Sequence, residues 1–143
     1  MGILQVVATP IGNLGDITLR ALEVLRSADI ILCEDTRQTK KLLNRYEITD
    51  KKLLTYNAKT SGASVEKITD LLLEGKNLAL VSDAGTPGIS DPGTVLVGKL
   101  RTHKDAANYQ IVAIPGPSAV IAALSISGLP TDGFNFLGFI PHK

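Results

Sequence analysis

The chain has 143 residues, 44% of them hydrophobic and 20% charged, and carries a net charge of +1 at neutral pH. That balance excludes a disordered chain and a uniformly basic nucleic-acid binder, and the length suits one domain-sized core that buries roughly two-thirds of the unfolded surface. Cys33 is the single cysteine, which rules out an internal disulfide or a cysteine-rich zinc cluster. No apolar run reaches the roughly 18 residues of a membrane span, and no charged segment precedes an apolar core at the N-terminus. A reducing, cytoplasmic setting is expected.

Residues 3–8 read as a first buried strand that stops in the loop Thr9-Pro10-Ile11-Gly12-Asn13-Leu14-Gly15. Asp16 or Thr18 then caps a helix whose apolar positions Leu19, Leu22, Leu25 and Ala28 face the sheet. The short continuous run 30–33 is a second buried strand, and the polar residues Glu34-Asp35-Thr36-Arg37 follow at once. A basic helix from Thr36 or Thr39 to Arg45 carries Arg37, Lys40, Lys41 and Arg45. Residues 53–56 form a weaker third strand. Ser64 caps a helix that buries Val65, Ile68, Leu71 and Leu72 and stops at Gly75. Residues 78–81 are strand four. The loop 82–93 that follows combines Gly85, Gly88, Gly93, Pro87 and Pro92 with Asp83, Asp91, Ser82, Ser90 and Thr86, so it is rigid and polar at once. A helix from Thr94 to about His103 leads to strand five at 110–114. Pro115-Gly116-Pro117 ends that strand, and Ser118 caps an apolar helix over 119–127 closed by Gly128.

Strands alternating with helices predict an α/β fold, an open five-stranded parallel sheet with helices on both faces. The loops rich in Gly, Pro, Asp and Thr, at 9–16, 34–37, 82–93 and 115–118, all follow strands. In such a sheet the carboxyl ends share one edge, and ligands bind there. The tail differs in character. All three phenylalanines, Phe134, Phe136 and Phe139, fall in an alternating, strand-like segment. The expected organisation is therefore a domain over 1–128, with 129–143 a hinge and the first strand of a second, truncated domain. A sixth strand docked on the same sheet is the alternative.

The two commonest phosphate cradles, G-x-G-x-x-G and G-x-x-x-x-G-K-[ST], are absent. His103 and His142 are not spaced as metal ligands, and no metal site is expected. His103 reads as a solvated helix-end residue, Cys33 as core, and Ser118 as a helix cap lacking the G-x-S-x-G elbow of a nucleophile. What remains on the cleft edge is Glu34, Asp35, Asp83, Asp91 and the backbone around Gly12, Gly85 and Ser118. Asp35 beside Arg37 reads equally as a local ion pair. Asp83 lies just beyond a buried strand, where its carboxylate points into the crevice and accepts hydrogen bonds from a ribose hydroxyl or an ammonium group.

Residues 8–13, Glu34-Asp35-Thr36-Arg37, residues 82–93 and Pro115-Gly116-Pro117-Ser118-Ala119, in this order, closely resemble the tetrapyrrole methylase superfamily, and within it the family that methylates small-subunit ribosomal RNA. The resemblance spans residues 3–143. It implies an S-adenosylmethionine-dependent enzyme that 2′-O-methylates a cytidine of 16S rRNA, two α/β domains with the cofactor in the cleft between them, and a homodimer with no membrane association. It further implies that Pro10, Ile11 and Gly12 line the cofactor, that Asp83, Gly85 and Thr86 make the main methionine and ribose contacts, and that Ser118 and Ala119 close the far side. Arg37, Lys40 and Lys41 would face RNA phosphates. A ribose hydroxyl needs a base, and Glu34 and Asp35 are the candidates. One departure stands out: Asn57-Ala58-Lys59-Thr60 follow Tyr56 where the family carries a His-rich segment, so no role of those histidines transfers. Two other readings stay open, a methylase acting on a tetrapyrrole carbon and a non-catalytic ligand-binding module.

Overall fold

Strands and helices alternate along the computed structural model, which describes residues 1–57 and 62–140. In chain order they are β1 (Gly2–Val7), α1 (Leu19–Ser27), β2 (Ile30–Cys33), α2 (Thr36–Arg45), β3 (Lys52–Thr55), α3 (Gly62–Leu73), β4 (Asn77–Leu80), α4 (Gly93–Arg101), β5 (Tyr109–Ile114) and α5 (Ala119–Ser127). Every strand pairing is parallel, in the order β3-β2-β4-β1-β5. The expected five-stranded parallel sheet is thus the observed one. Of the departure after Tyr56, positions 58–60 lie outside the described residues, as do 141–143. No helix among the described residues is long and apolar enough to cross a membrane.

The central strands are buried on both faces, which is why they read as continuous apolar runs. Val7, Ile31, Cys33, Ala79, Val81 and Ile114 pack against Ala21, Leu22 and Leu25 of α1 and Leu42 and Leu43 of α2. On the other face Leu4, Leu32, Leu78 and Leu80 pack against Val65, Ile68 and Leu72 of α3 and Leu96 and Leu100 of α4. The chain therefore winds one way with its helices on one face, then reverses and winds the other way with its helices on the opposite face.

Several local expectations change. Thr18, not Asp16, caps α1, its hydroxyl accepting the Ala21 N–H at 3.0 Å. Leu19 is 79% exposed, because the buried stripe runs through Ala21, Leu22, Val24 and Leu25 and leaves position 19 on nearly the opposite side. α3 begins at Gly62, so Ser64 lies inside the first turn instead of capping it. His103 is not a solvated helix end. Its side chain is only 18% exposed and sits 3.7 Å from Glu66 and 3.6 Å from Asp105. The C-terminal end of α1 has a cation: the Lys51 ammonium donates to the Arg26 carbonyl and, at 3.1 Å, to that of Ala28.

Residues 129–140 carry no helix or strand, and the alternating segment around Phe134, Phe136 and Phe139 adds nothing to the sheet. An alternating sequence becomes a strand only against a partner edge, and here its apolar side chains are exposed. α5, although almost wholly apolar, likewise has no buried residue.

Candidate functional site

Four loops meet at the centre of the sheet, where neighbouring strands send the chain to opposite faces. β4 stands at the centre of the sheet between β2 and β1. The chain leaves β1 and β2 toward α1 and α2 on one face, but leaves β4 toward α4 on the other, so a crevice opens beyond the carboxyl end of β4. The loop after β4 lines it.

That loop is tied to each of the others. Thr9 and Gly85 form an isolated antiparallel bridge, with the Thr9 N–H donating to the Gly85 carbonyl at 2.9 Å and the Gly85 N–H to Thr9 at 3.1 Å. Gly85 holds φ at +80°, a conformation that a side chain would strain. The buried Thr9 hydroxyl donates in addition to the carbonyls of Ser82 and Gly85. Toward β2, the Asp35 N–H donates to Asp83 Oδ1 at 3.2 Å and the Asp83 N–H donates to Glu34 Oε1 at 3.4 Å. Toward β5, the Thr86 hydroxyl donates to the Pro117 carbonyl at 3.3 Å. The first and last loops also touch: a Cβ on Gly116 would stand 2.9 Å from that of Ala8, so only glycine permits this approach. Within the central loop Asp91 is an internal brace, accepting the N–H groups of Gly88 at 2.9 Å and Gly93 at 2.7 Å. The result is a braced ledge of backbone with few side chains above it.

The carboxylates are differentiated by their surroundings. Asp35 caps α2 by accepting the Arg37 N–H at 2.8 Å, and it also holds the Arg37 guanidinium through both oxygens. Those hydrogen bonds, first to the Arg37 side chain and then to its backbone, pull its pKa down to about 2. Glu34 is pushed the other way, chiefly by burial and then by the negative charges of Asp83 and Asp91, although the Asp83 N–H partly opposes this. Two adjacent carboxyl groups thus have opposed proton affinities. A carbon-13 titration of the side-chain carboxyls is expected to place Asp35 with a midpoint near 2 and Glu34 above the ordinary glutamate value; equal midpoints would contradict this electrostatic picture.

The structure brings Glu34, Asp35 and Asp83 within hydrogen-bonding reach of one another and sets Gly85 and Thr86 beside the loop that carries Ser118. Pro10 and Asp83 line one cavity, with Thr39 and Lys41. Ile11 and Ser118 line another, with Asp16 and Gly116. Ser118 occupies the cap position of α5, but its hydroxyl makes no bond to that helix. Gly12 stands in open space, and Ala119 is exposed. On α2 the cations diverge: Lys41 faces the crevice, whereas Lys40 lines a hollow with Asn44, Asp50 and Lys51. Sequence reasoning missed Thr9, Asp91 and Tyr46 as organisers. Asp91, before Pro and Gly, carries the signature of an Asx turn and was open to detection. Tyr46, which donates to the Leu14 carbonyl and lies under Arg45 with 5.9 Å from the guanidinium carbon to its ring centre, joins α2 to the first loop with no local signal. Among the described residues no group of three or more His, Cys, Asp or Glu is placed to hold a metal ion.

Comparison with known proteins gives this geometry relatives. The family model of tetrapyrrole (corrin/porphyrin) methylases matches residues 4–140. A ribosomal RNA small subunit methyltransferase I of Mesorhizobium japonicum is 52% identical over 140 residues, covering 98% of this chain and 46% of the relative. Its counterpart in Xylella fastidiosa is 51% identical over 142 residues, covering 99% of this chain and 50% of the relative. The chain spans about half the length of these curated relatives. Among solved structures, the uroporphyrin-III-C-methyltransferase of Thermus thermophilus aligns with a TM-score of 0.61 at 25% identity, over 90% of this chain and 53% of that one. A diphthine synthase aligns with a TM-score of 0.62 at 17% identity, over 94% and 52%, a likeness of fold alone.

Proposed function

This chain belongs to the tetrapyrrole (corrin/porphyrin) methylase family, and from that premise we propose that it supplies the cofactor-binding wall of an S-adenosylmethionine-dependent methyltransferase that 2′-O-methylates a cytidine of 16S rRNA in the small ribosomal subunit. The enzyme acts in the bacterial cytoplasm as a homodimer. Residues 1–128 form its cofactor-cleft domain, and 129–143 lead into a second α/β domain; the exposed phenylalanines of the tail and the greater length of the relatives support this division.

The observation that carries the reading is the junction of two chemistries at Asp83. On one side lies the braced glycine and proline ledge. On the other begins α2, a helix with four cations, Arg37, Lys40, Lys41 and Arg45, and no carboxylate. A polyanion held along α2 would deliver a nucleotide to the crevice.

The donor set of the ledge fits S-adenosylmethionine. Asp83 Oδ1 is engaged by the Asp35 N–H, which leaves Oδ2 to accept from an ammonium or ribose hydroxyl. The Ser118 hydroxyl and the first N–H groups of α5 suit a carboxylate. Pro10, Ile11 and Pro117 supply apolar wall, Gly12 and Ala119 leave room beside it, Gly85 lets the main chain pass close to the ligand although its N–H and carbonyl are taken by Thr9, and Thr86 presents backbone. When bound, the cofactor supplies an electrophilic methyl group on a sulfonium, and methyl transfer then depends mainly on alignment with the acceptor oxygen. Glu34, whose raised proton affinity suits it to the task, accepts the proton leaving the ribose hydroxyl. Asp35 is tied to Arg37 and serves to fix the start of α2. Arg37, Lys40 and Lys41 hold phosphates.

Supplying methyl-labelled S-adenosylmethionine to the intact protein with immature small ribosomal subunits, and separately with a porphyrin, tests the reading: label is expected in RNA ribose only. Label in the porphyrin would favour the tetrapyrrole alternative, and label in neither would leave a ligand-binding module. Charge reversal at Arg37 and Lys41 is expected to weaken RNA binding, with a deficit that shrinks as salt rises from about 50 to 200 mM. A loss independent of salt would point to damage to α2 instead.

A further inference from the structure

We propose, resting on the RNA-methylating reading above, that the small cavity between the first loop, α2 and the end of β4 is the seat of the acceptor base, and that it selects a pyrimidine by size. The cavity measures about 150 Å³ and is lined by Pro10, Gln38, Thr39, Lys41, Leu42 and Asp83 among others. A space of about 150 Å³, open on one side to solvent past Gln38 and Lys41, has room for a single six-membered ring. A purine brings a second, fused ring.

Among the described residues, cavities beside α2, α4 and α5 open along the carboxyl edge of the sheet, and their chemistry separates them. The one beside α5, about 310 Å³, is lined by Ile11, Pro117 and Ser118, the residues assigned above to the cofactor, and by no residue of α2. The one beside α4, about 470 Å³, is walled by Val6, Pro87, Val97 and Ile111 with Arg101, and includes neither Asp83 nor any residue of α2. Only the cavity under α2 joins the cationic face to Asp83. Lys41 stands at its rim, where the phosphate of an extruded nucleotide would lie. Gln38, one turn earlier and exposed, offers both an amide donor and an amide acceptor, the pair of groups needed to read the edge of a base. Thr39 and Leu42, both buried, provide the floor. A base seated here leaves its ribose beside Asp83 and Glu34, next to the cofactor ledge and not on it. An enzyme acting on a nucleotide inside folded RNA takes it out of the stack into such a pocket.

The test uses the intact protein, labelled S-adenosylmethionine, and small-subunit RNA carrying either the native cytidine or an adenosine at the acceptor position. Gln38→Trp, at an exposed position, fills the mouth. It is expected to lower kcat/KM for RNA by about 100-fold, as misplacement of a reacting group does, while the cofactor Kd stays at the parent value. Leu42→Ala enlarges the floor and is expected to narrow the preference for cytidine over adenosine about tenfold. If Gln38→Trp transfers methyl to RNA with parental constants, or Leu42→Ala, folded and binding cofactor, keeps the parental preference, the pocket assignment falls while the function stands. A parent protein that transfers no methyl to RNA overturns the function and the pocket together.

Discussion

Glu34→Gln is expected to lower the rate of methyl transfer to RNA by about 10²–10⁴-fold, the usual contribution of a positioned base, without loss of fold. The two carboxyl groups after β2 compete for this role, and their environments decide between them. Asp35 stays ionised down to a pH of about 2 because the Arg37 guanidinium and N–H hold its charge, and a carboxylate stabilised so strongly is a weak base. Glu34 has its proton affinity raised by burial and by neighbouring negative charge. Because its folded pKa lies above the unfolded one, its contribution to stability is fully present below the unfolded value and is lost as pH rises through the folded one. At neutral pH the ionised Glu34 therefore opposes folding, and the isosteric, neutral glutamine is expected to leave the melting temperature unchanged or raised. The acid limb of the pH–rate profile should lie above the ordinary glutamate range in the parent and be absent in the variant. Asp35→Asn, which keeps a capping side chain, should have a far smaller effect on rate. Parental kcat in Glu34→Gln would remove Glu34 from the chemistry.

The sheet is legible in the sequence for a physical reason. Strands such as Ile30–Cys33 are buried on both faces and must be apolar at every position, and the turns that follow them need Gly, Pro or Asp. Parallel pairing then obliges the loops to share an edge, so the neighbourhood of Glu34, Asp83, Gly85 and Ser118 follows from element order alone. What escapes is tertiary. Leu19 satisfies helical spacing against Leu22 yet faces water, because hydrophobic spacing fixes a face only when the whole stripe is weighed. Tyr46 reaches back to Leu14, and Thr9 bridges to Gly85, across separations that no local pattern records. Asp35 could be read from its neighbours as either an ion-pair partner or a chemical group, and only the geometry shows both its oxygens committed to Arg37. The tail is the converse case: the alternation of Phe134, Phe136 and Phe139 is plain, but alternation alone supplies no edge to pair with.

Asp83→Ala and Asp83→Asn are expected to weaken S-adenosylmethionine binding alike, by about 1–3 kcal/mol, the cost of withdrawing a charged hydrogen-bond acceptor from the ligand, while differing in stability. The side chain has two separable tasks. Oδ1 accepts the Asp35 N–H at 3.2 Å and so clasps the loop after β2 to the loop after β4, which also leaves the Asp83 N–H on Glu34. Oδ2 is the acceptor offered to the ligand. Asparagine keeps one carbonyl oxygen and can preserve the clasp, but its amide nitrogen cannot accept and its charge is gone. Alanine loses both. Calorimetric titration of the intact protein should therefore show both variants binding cofactor about 5- to 150-fold more weakly, whereas thermal unfolding should be lowered in the alanine variant and close to parental in the asparagine one. Charge is what the asparagine comparison isolates: an asparagine variant with parental cofactor affinity would mean that Asp83 only shapes the loops, and the ligand contact would have to be sought at the backbone of Thr86.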